Sequence, residues 1–310
     1  MTVFFPARPT SPPSHPAGRL GPPWPIELLW QAEFASDSPV RGGGLPADLR
    51  ERFAARLAIP LRRDRPTVVA NFVSTLDGVV APDRHGATGG GEISGGFEPD
   101  RFLMGLLRAT ADAVLLGAGT VRASHSKVWT PGGVHPPSAA SFAEWRRLLG
   151  LSVGGPATVI VSGSGSLDVA RLGADAGVPV LIVTTTRGAR RLRGAPRPDH
   201  VEIVSVADGP PLAIETVLGI LLKLGYRLVL SEAGPTLFGE LLEARAVDQL
   251  FLTVAPQLAG RSGGNDRLGL VEGVGFPPAL APWARLLSVS RSADHLFLRY
   301  DLRPDRRGVS

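Results

Sequence analysis

The segment Leu230-Ser231-Glu232-Ala233-Gly234-Pro235-Thr236-Leu237 ends an apolar run and opens a helical pattern at a glycine. A strand that leads directly into a helix presents the unpaired N–H groups of the helix start, which together with the helix dipole bind anions such as phosphate. Glycine lets the anion approach the backbone closely. Glu232 lies at the carboxyl end of the strand, where open α/β sheets bind ligands. The segment therefore predicts a phosphate site with a carboxylate beside it.

A second glycine turn follows an apolar run earlier in the chain, in Ala113-Val114-Leu115-Leu116-Gly117-Ala118-Gly119-Thr120-Val121. Gly117-x-Gly119 lacks the third glycine of the dinucleotide fingerprint, so a purely structural turn is an equally good interpretation of this motif alone. Together, the two turns predict one extended ligand with two phosphates.

The composition is that of an ordinary globular protein, with 44% hydrophobic residues and a net charge of +5. Only Lys127 and Lys223 are lysines, and the densest arginine cluster, at residues 187–193, contains no aromatic side chain. A nucleic-acid surface needs basic residues on one face with interleaved aromatics, so we expect no nucleic-acid partner.

Several site classes are excluded by residues that the sequence lacks. There is no cysteine, which removes disulfides, thiolate catalysis and cysteine-containing zinc sites, and the six histidines show no paired spacing, so we expect no metal. His200-Val201-Glu202 has the His-x-Glu form of zinc deaminases, but these require cysteines. No apolar run approaches the roughly 18 residues of a membrane span, and no signal peptide is evident, so we expect a cytoplasmic protein without membrane contact.

The chain divides into four parts by composition. Residues 1–25 hold eight prolines between positions 6 and 25 and predict a disordered tail. Residues 26–64 predict an N-terminal extension that packs on the core, with a helix over Pro46–Leu57. Residues 65–303 alternate short apolar runs with helical stretches, which is typical of a mostly parallel α/β sheet. The runs include a predicted strand over Gln249–Val254 and predicted helices over Glu98–Ala109 and Leu167–Ala176. Two apolar runs at Ala284–Ser290 and His295–Leu302 have no helix between them and predict an antiparallel ending. Residues 304–310 form a C-terminal tail.

Three further polar groups are candidates for the site, each with a structural alternative. Asp77 belongs to the run Asn71–Gly78, which places polar residues at the end of a predicted strand and on the ligand edge of the sheet, although Asp77-Gly78 alone is an ordinary turn. Ser162 opens a loop of small hydroxyl residues that can line a ribose or its phosphate, or simply connect two elements. Arg108 can clamp a phosphate with its planar fork, or complement the dipole at the end of a helix.

These motifs form an ordered set along the chain. Its members are Ser74–Gly78, Leu107-Arg108, Asp112-Ala113, Gly117–Val121, Glu232–Leu237, Val247–Leu250 and Ala255–Gly260. From about Arg65 to Leu302 the chain resembles the reductase domain of riboflavin biosynthesis, in a stand-alone form without the zinc deaminase half that is often fused to it. That family resembles dihydrofolate reductase in fold. It uses NADPH to reduce the ribosyl side chain of 5-amino-6-ribosylaminouracil 5′-phosphate to the ribityl form.

The resemblance implies roles for individual residues. NADPH would contact Gly117, Gly119, Thr120 and Val121 in one turn and Gly234, Pro235, Thr236 and Leu237 in the other, with Ser162 on the adenosine side and backbone atoms of Val73 at the nicotinamide. Apart from the resemblance, Arg122 and Arg187 lie near the predicted adenosine loops in the sequence and are candidates for the preference for NADPH over NADH. Asp77, Arg108 and Glu232 would face the substrate. The sequence departs from the family after Val121, where Arg122–Trp129 replaces a loop with paired aspartates that helps to bind substrate.

Asp77 and Glu232 are the carboxylates of the motif loops and hence the candidate catalytic residues. One would recognise the N–H groups of the aminopyrimidine, and the other would stabilise an imine cation or relay the sugar proton. Arg108 would bind the 5′-phosphate. Two alternatives stay open, namely a reductase of dihydrofolate or another pterin, and an NADPH-binding module without catalysis. We expect a homodimer, because the C-terminal runs would leave an apolar sheet edge.

Overall fold

The computed structural model describes residues 24–33, 38–81, 90–124, 129–172, 177–194, 196–207, 212–261 and 267–303. The predicted tail at residues 1–25 lies outside these ranges apart from Trp24 and Pro25, and so does the predicted tail at residues 304–310. Both tails therefore stay predictions.

The described residues form fourteen strands and nine α-helices. The strands are β1 (Glu27–Gln31), β2 (Val40–Arg41), β3 (Ile59–Pro60), β4 (Thr67–Ser74), β5 (Val79–Ala81), β6 (Ala113–Gly117), β7 (Ala157–Ser162), β8 (Val180–Thr185), β9 (Val201–Val206), β10 (Leu228–Ser231), β11 (Gln249–Val254), β12 (Leu268–Gly269), β13 (Arg285–Ser292) and β14 (His295–Asp301). The helices are α1 (Ala47–Arg52), α2 (Gly90–Ile93), α3 (Glu98–Thr110), α4 (Ala118–Ala123), α5 (Pro131–Val134), α6 (Ala139–Leu148), α7 (Thr186–Leu192), α8 (Ile214–Lys223) and α9 (Pro235–Glu243).

Ten of these strands make one sheet in the order β1-β13-β14-β11-β4-β10-β6-β7-β8-β9. The seven strands from β11 to β9 run parallel to their neighbours, whereas β14, β13 and β1 add antiparallel strands at one side. The predicted fold class is thus confirmed: a mostly parallel sheet flanked by helices, with an antiparallel C-terminal hairpin.

Helices cover both faces of the sheet, which is why the central strands are apolar on both sides. On one face, Leu106 of α3 and Phe142 of α6 pack against strand residues such as Leu230. On the other face, Leu221 of α8 and Phe238 of α9 pack on the alternate strand positions. This two-layer core fixes α3 and α9 against the central strands that carry the candidate site.

The prediction of an open apolar edge at the C-terminal strands is wrong. β1 pairs antiparallel with β13, so the N-terminal segment covers that edge and becomes the outer strand itself. Ile26, just before β1, is fully buried and forms a bridge with Phe53.

Two helix predictions differ from what the structure describes. The helix expected over Pro46–Leu57 ends at Arg52, because Phe53 is extended and pairs with Ile26. Where the pattern predicts a helix over Leu167–Ala176, the described residues show only a 3-10 turn at Val169–Arg171.

Candidate active site

The predicted site residues lie along one edge of the sheet. Strands β4, β6, β7 and β10 are parallel neighbours and end there at Ser74, Gly117, Ser162 and Ser231. This is the carboxyl edge, where parallel sheets place their ligands. The structure therefore brings together Val73, Gly117, Ser162 and Glu232, which are far apart in the sequence.

The two glycine turns form one surface. Gly117 is the N-cap of α4 and Gly234 is the N-cap of α9, with Pro235 in the first helical turn, where its missing N–H costs nothing. A methyl group on Gly234 would lie 3.3 Å from Thr120 Oγ1, and one on Gly117 would lie 3.6 Å from Leu237 Cδ2. Since Gly234 has an ordinary extended conformation, glycine matters there for close approach and not for backbone strain.

The predicted cofactor residues in these turns differ in what they can offer. Thr236 and Gly119 are exposed, and Thr120 is half-buried. The side chains of Pro235, Leu237 and Val121 are buried in the core. A ligand can therefore contact the exposed residues directly, whereas the buried ones hold the two turns in place.

Glu232 and Arg108 form an ion pair across the site. Arg108, in the last turn of α3, donates from Nε to Glu232 Oε1 (2.7 Å) and from Nη2 to Oε2 (2.6 Å), and from Nη1 to the carbonyl of Thr130 (3.2 Å). Only 7% of the Arg108 side chain and 10% of the Glu232 side chain are exposed. Such bidentate pairing fixes the orientation of both groups. The Arg108 guanidinium group, which the sequence predicts to bind a phosphate, thus binds Glu232, and its contact with a phosphate stays a prediction.

Asp77 binds backbone and hydroxyl donors. Its Oδ1 accepts from Thr75 Oγ1 (2.6 Å) and from the amide of Ala259 (3.1 Å), and its Oδ2 accepts from the amide of Gly260 (2.6 Å). The hydrogen bond from Thr75, helped by the two amides, lowers the pKa of Asp77 to about 2. Asp77 therefore stays ionised and ties the turn after β4 to the segment after β11. A carboxylate with so low a pKa is a weak base at neutral pH.

Val73 lies in the part of β4 that extends beyond its pairing with β10. The pairing between β4 and β10 reaches only Ala70, whereas the pairing with β11 continues through Val73 to Ser74. Backbone groups of β4 beyond Ala70 on the β10 side therefore suit hydrogen bonds to an amide-bearing ligand. The Val73 side chain packs against Ile93 and Ala255 and touches the position of Gly90.

The Ser162 loop is held by internal hydrogen bonds. Ser162 Oγ accepts from the amide of Gly165 (3.1 Å), and Arg122 Nη1 donates to the carbonyl of Ser166 (3.2 Å). Gly165 has φ +64°, and a methyl group on it would lie 2.4 Å from the carbonyl oxygen of Gly188 in α7. Arg122, predicted to favour NADPH, thus lies against the predicted adenosine loop. Residues 125–128 of the altered loop fall outside the described residues.

The sequence interpretation missed Asp100, a buried acid in the first turn of α3. Burial raises its pKa to about 6, the adjoining hydroxyls of Thr253 and Ser94 oppose this rise, and the negative charge of Glu232 adds to it. The sequence offered one signal for Asp100, namely its spacing from Arg108: the two residues are about two helical turns apart and lie near one face of α3. An acid in a first helical turn is so common as a dipole partner that this signal is weak.

The described residues contain no group of three or more His, Asp or Glu side chains that could hold a metal ion. No helix among them is long and apolar enough to cross a membrane.

Comparison with known proteins supports the interpretation of the fold. A family model described as the RibD C-terminal domain matches residues 66–293. The chain is 28% identical over 212 residues to the 2,5-diamino-6-ribosylamino-4(3H)-pyrimidinone 5′-phosphate reductase of Methanothermobacter thermautotrophicus, which covers 68% of this chain and 86% of that protein.

Solved structures share the fold at lower identity. A deaminase/5-amino-6-(5-phosphoribosylamino)uracil reductase from Thermotoga maritima has a TM-score of 0.57 and 23% identity, covering 77% of this chain and 57% of that one. A pyrimidine reductase-like protein from Corynebacterium diphtheriae has a TM-score of 0.55 and 20% identity, covering 77% and 93%. The chain thus spans little more than half of the Thermotoga protein but nearly all of the Corynebacterium one.

Proposed function

The chain belongs to the RibD C-terminal domain family, and from this premise we propose that it is an oxidoreductase of riboflavin biosynthesis. It reduces the ribosyl side chain of a phosphorylated aminopyrimidine to the ribityl form. The observation that carries the proposal is the Arg108–Glu232 pair beside the paired glycine turns, because it sets an oriented carboxylate next to a surface shaped for phosphates.

We propose NADPH as the cofactor. The glycine turns fit a pyrophosphate, because a single methyl group on Gly234 would fill the space next to Thr120. The backbone of β4 at Val73 would take the nicotinamide, and Ser162 and Arg122 would lie near the adenosine end, with Arg187 at the start of α7. A reduced nicotinamide bound there would supply a hydride.

The mechanism follows from what each side chain can do. The open-chain form of a ribosylamine is an imine, and hydride addition at C1′ of its protonated cation gives the amine. Glu232, held by the Arg108 fork, would stabilise the positive charge at the imine nitrogen. We keep Asp77 as a substrate-binding residue that acts by ordering the loop around it, because its carboxylate accepts hydrogen bonds from the amides of Ala259 and Gly260. Positioning accounts for most of the rate in such a reaction.

We also propose a homodimer, now through β1 and not through the C-terminal hairpin. β1 is the outer strand, and Leu29 and Trp30 on it are 54% and 48% exposed. Outer strands with exposed apolar side chains favour pairing with a second copy. Light scattering at micromolar concentration tests this, and a monomer there contradicts it.

The decisive experiment follows NADPH absorbance in the presence of each candidate substrate. The purified chain is mixed with 5-amino-6-ribosylaminouracil 5′-phosphate, with its 2-amino counterpart, or with dihydrofolate. Oxidation of NADPH with a ribosylaminopyrimidine supports the proposal. Oxidation with dihydrofolate alone, or tight NADPH binding without any turnover, refutes it.

Two variants assign that activity to the site. Glu232→Gln should abolish most of the turnover, whereas Glu243→Gln, an exposed change on α9, should leave it intact. Equal activity of the two variants would remove Glu232 from the mechanism.

A further inference from the structure

Asp100 is a buried carboxyl group with no described cation beside it. Its side chain is 5% exposed, and the groups that influence it are the hydroxyls of Thr253 and Ser94 and the carboxylate of Glu232. Thr253 is fully buried and its Oγ1 makes no hydrogen bond of normal geometry. Burying a carboxyl group that faces hydroxyl groups and another carboxylate, with no cation to balance its charge, is costly. Such groups concentrate at functional sites.

The fold places Asp100 on the same side of the sheet as Glu232. Side chains alternate along strands, and Leu230, Val69 and Phe251 face α3. Positions two or four residues further along each strand face the same way, namely Glu232, Val73 and Thr253.

These three positions lie on neighbouring strands, in the order β10-β4-β11. With strands about 4.8 Å apart and an offset of two residues along the strands, the backbones at Thr253 and Glu232 are separated by about 12 Å. Along α3, eight residues at 1.5 Å each separate Asp100 from Arg108 by about 12 Å. The proposed substrate cleft is the strip between these groups, with the Arg108–Glu232 pair at one end and Asp100 with Thr253 at the other.

That separation suits one ribosylaminopyrimidine. If Glu232 acts at the imine nitrogen, the far edge of the pyrimidine ring lies toward Asp100. Two related proteins act on rings that differ at this edge: the Methanothermobacter reductase is named for a 2-aminopyrimidinone, and the Thermotoga enzyme for a uracil.

We propose that Asp100, with Thr253 beside it, recognises the 2-amino-4-oxopyrimidine edge, so that this chain reduces the 2-amino substrate in preference to the uracil. The inference rests on the proposed function. A 2-aminopyrimidinone presents two adjacent N–H groups, which a carboxylate accepts side by side, as it does those of arginine. A uracil alternates N–H with C=O, so one oxygen of Asp100 would face a carbonyl oxygen. A site built for hydrogen bonds rejects a mismatched analogue strongly.

The test compares kcat/KM for the two ribosylaminopyrimidine phosphates in the wild type and in Asp100→Asn. We expect the wild type to prefer the 2-amino substrate by about 100-fold or more. The amide of asparagine offers one donor and one acceptor, which matches the uracil edge. Asp100→Asn should therefore lose activity on the 2-amino substrate and gain it on the uracil, shifting the ratio by at least about tenfold. Glu92→Gln, an exposed neutralisation on α2, is the control and should leave the ratio unchanged.

Each outcome decides between defined alternatives. A wild type that prefers the uracil, or an Asp100→Asn variant that loses both activities equally while its NADPH affinity and melting temperature are normal, overturns the inference. If Asp100→Asn does not fold, Asp100→Ser is used, and it should lose the preference without gaining uracil activity. A reduced pterin carries the same edge, so turnover with dihydrofolate alone would assign Asp100 to a pterin. If the wild type reduces neither pyrimidine, the proposed function itself fails.

Discussion

Removing Arg108 should cost this protein stability as well as activity, because its partner is buried. With only 10% of the Glu232 side chain exposed, Arg108→Met leaves a carboxylate without its two hydrogen bonds of 2.7 and 2.6 Å. Breaking a buried ion pair from one side costs about 3–5 kcal/mol, against less than about 1 kcal/mol for an exposed pair. For a domain of this size, we expect the melting temperature to fall by about 10 °C.

A double-mutant cycle with Glu232→Gln measures the interaction itself. Urea unfolding of the two single variants and the double variant should give a coupling energy of at least about 2 kcal/mol, because the double variant buries no unpaired charge. A coupling energy below about 0.5 kcal/mol would refute the reasoning, since it would mean that water screens the pair in solution.

Kinetics of Arg108→Lys then separate two roles for the same side chain. Lysine keeps the charge and loses the fork, so Glu232 is less well oriented and kcat should fall more than KM rises. If Arg108 binds the 5′-phosphate, as its place in the sequence predicts, KM should rise more than kcat falls.

Three further predictions concern single side chains at the same edge. The pKa of Asp77 is lowered to about 2, so the contribution of its charge to stability is complete above about pH 4 and is lost as pH falls toward 2. Asp77→Asn should therefore lower the melting temperature equally at pH 5 and at pH 9. A loss of kcat as large as that of Glu232→Gln would contradict this structural role. The pKa of Asp100 is raised from 3.8 to about 6, so the folded wild type loses stability as pH rises through that window. Asp100→Asn should therefore be more stable than the wild type at about pH 8, by at most about 3 kcal/mol, but not at about pH 4. If the variant and the wild type have equal melting curves at both pH values, Asp100 is not desolvated. Gly165→Ala should weaken NADPH binding by about tenfold or more, because its methyl group would lie 2.4 Å from the Gly188 carbonyl oxygen at a left-handed φ of +64°. Gly163→Ala is the control, since a methyl group there would meet open space. Equal NADPH dissociation constants for the two variants, measured by titration, would remove the Ser162 loop from the cofactor site.

The sequence predicted the local elements well because their signals are local. The strand expected over Gln249–Val254 has those bounds in the structure, and the helix expected over Glu98–Ala109 ends one residue later. Both have apolar residues at the spacing of their own secondary structure, which a short window reveals. The glycine turns at Gly117 and Gly234 were found for the same reason.

Long-range pairing was outside the reach of these patterns. Nothing near Glu232 indicates that Arg108, 124 residues away, is its partner, because either charge alone looks like a surface residue. The covering of β13 by β1 was missed because register between distant strands leaves no local signal. Asp100 was missed because burial, not sequence, distinguishes it from a solvent-exposed acid at a helix start.

Helix α3 links the two ends of the proposed substrate cleft, so whatever fixes α3 also fixes the spacing between Asp100 and Arg108. Its C-terminal end is held by Arg146 of α6, whose buried Nη1 donates to the carbonyls of Arg108 (3.1 Å), Ala109 (3.3 Å) and Ala111 (2.8 Å). The carbonyls of Arg108 and Ala109 lie in the last turn of α3 and lack partners within the helix, and a cation is a good group to satisfy them. Because a helix is stiff over about 12 Å, an anchor at one end also constrains the other. The proposed substrate specificity at Asp100 and the proposed charge stabilisation at Glu232 therefore depend on one shared element. That element is held in place by a residue that contacts neither side chain.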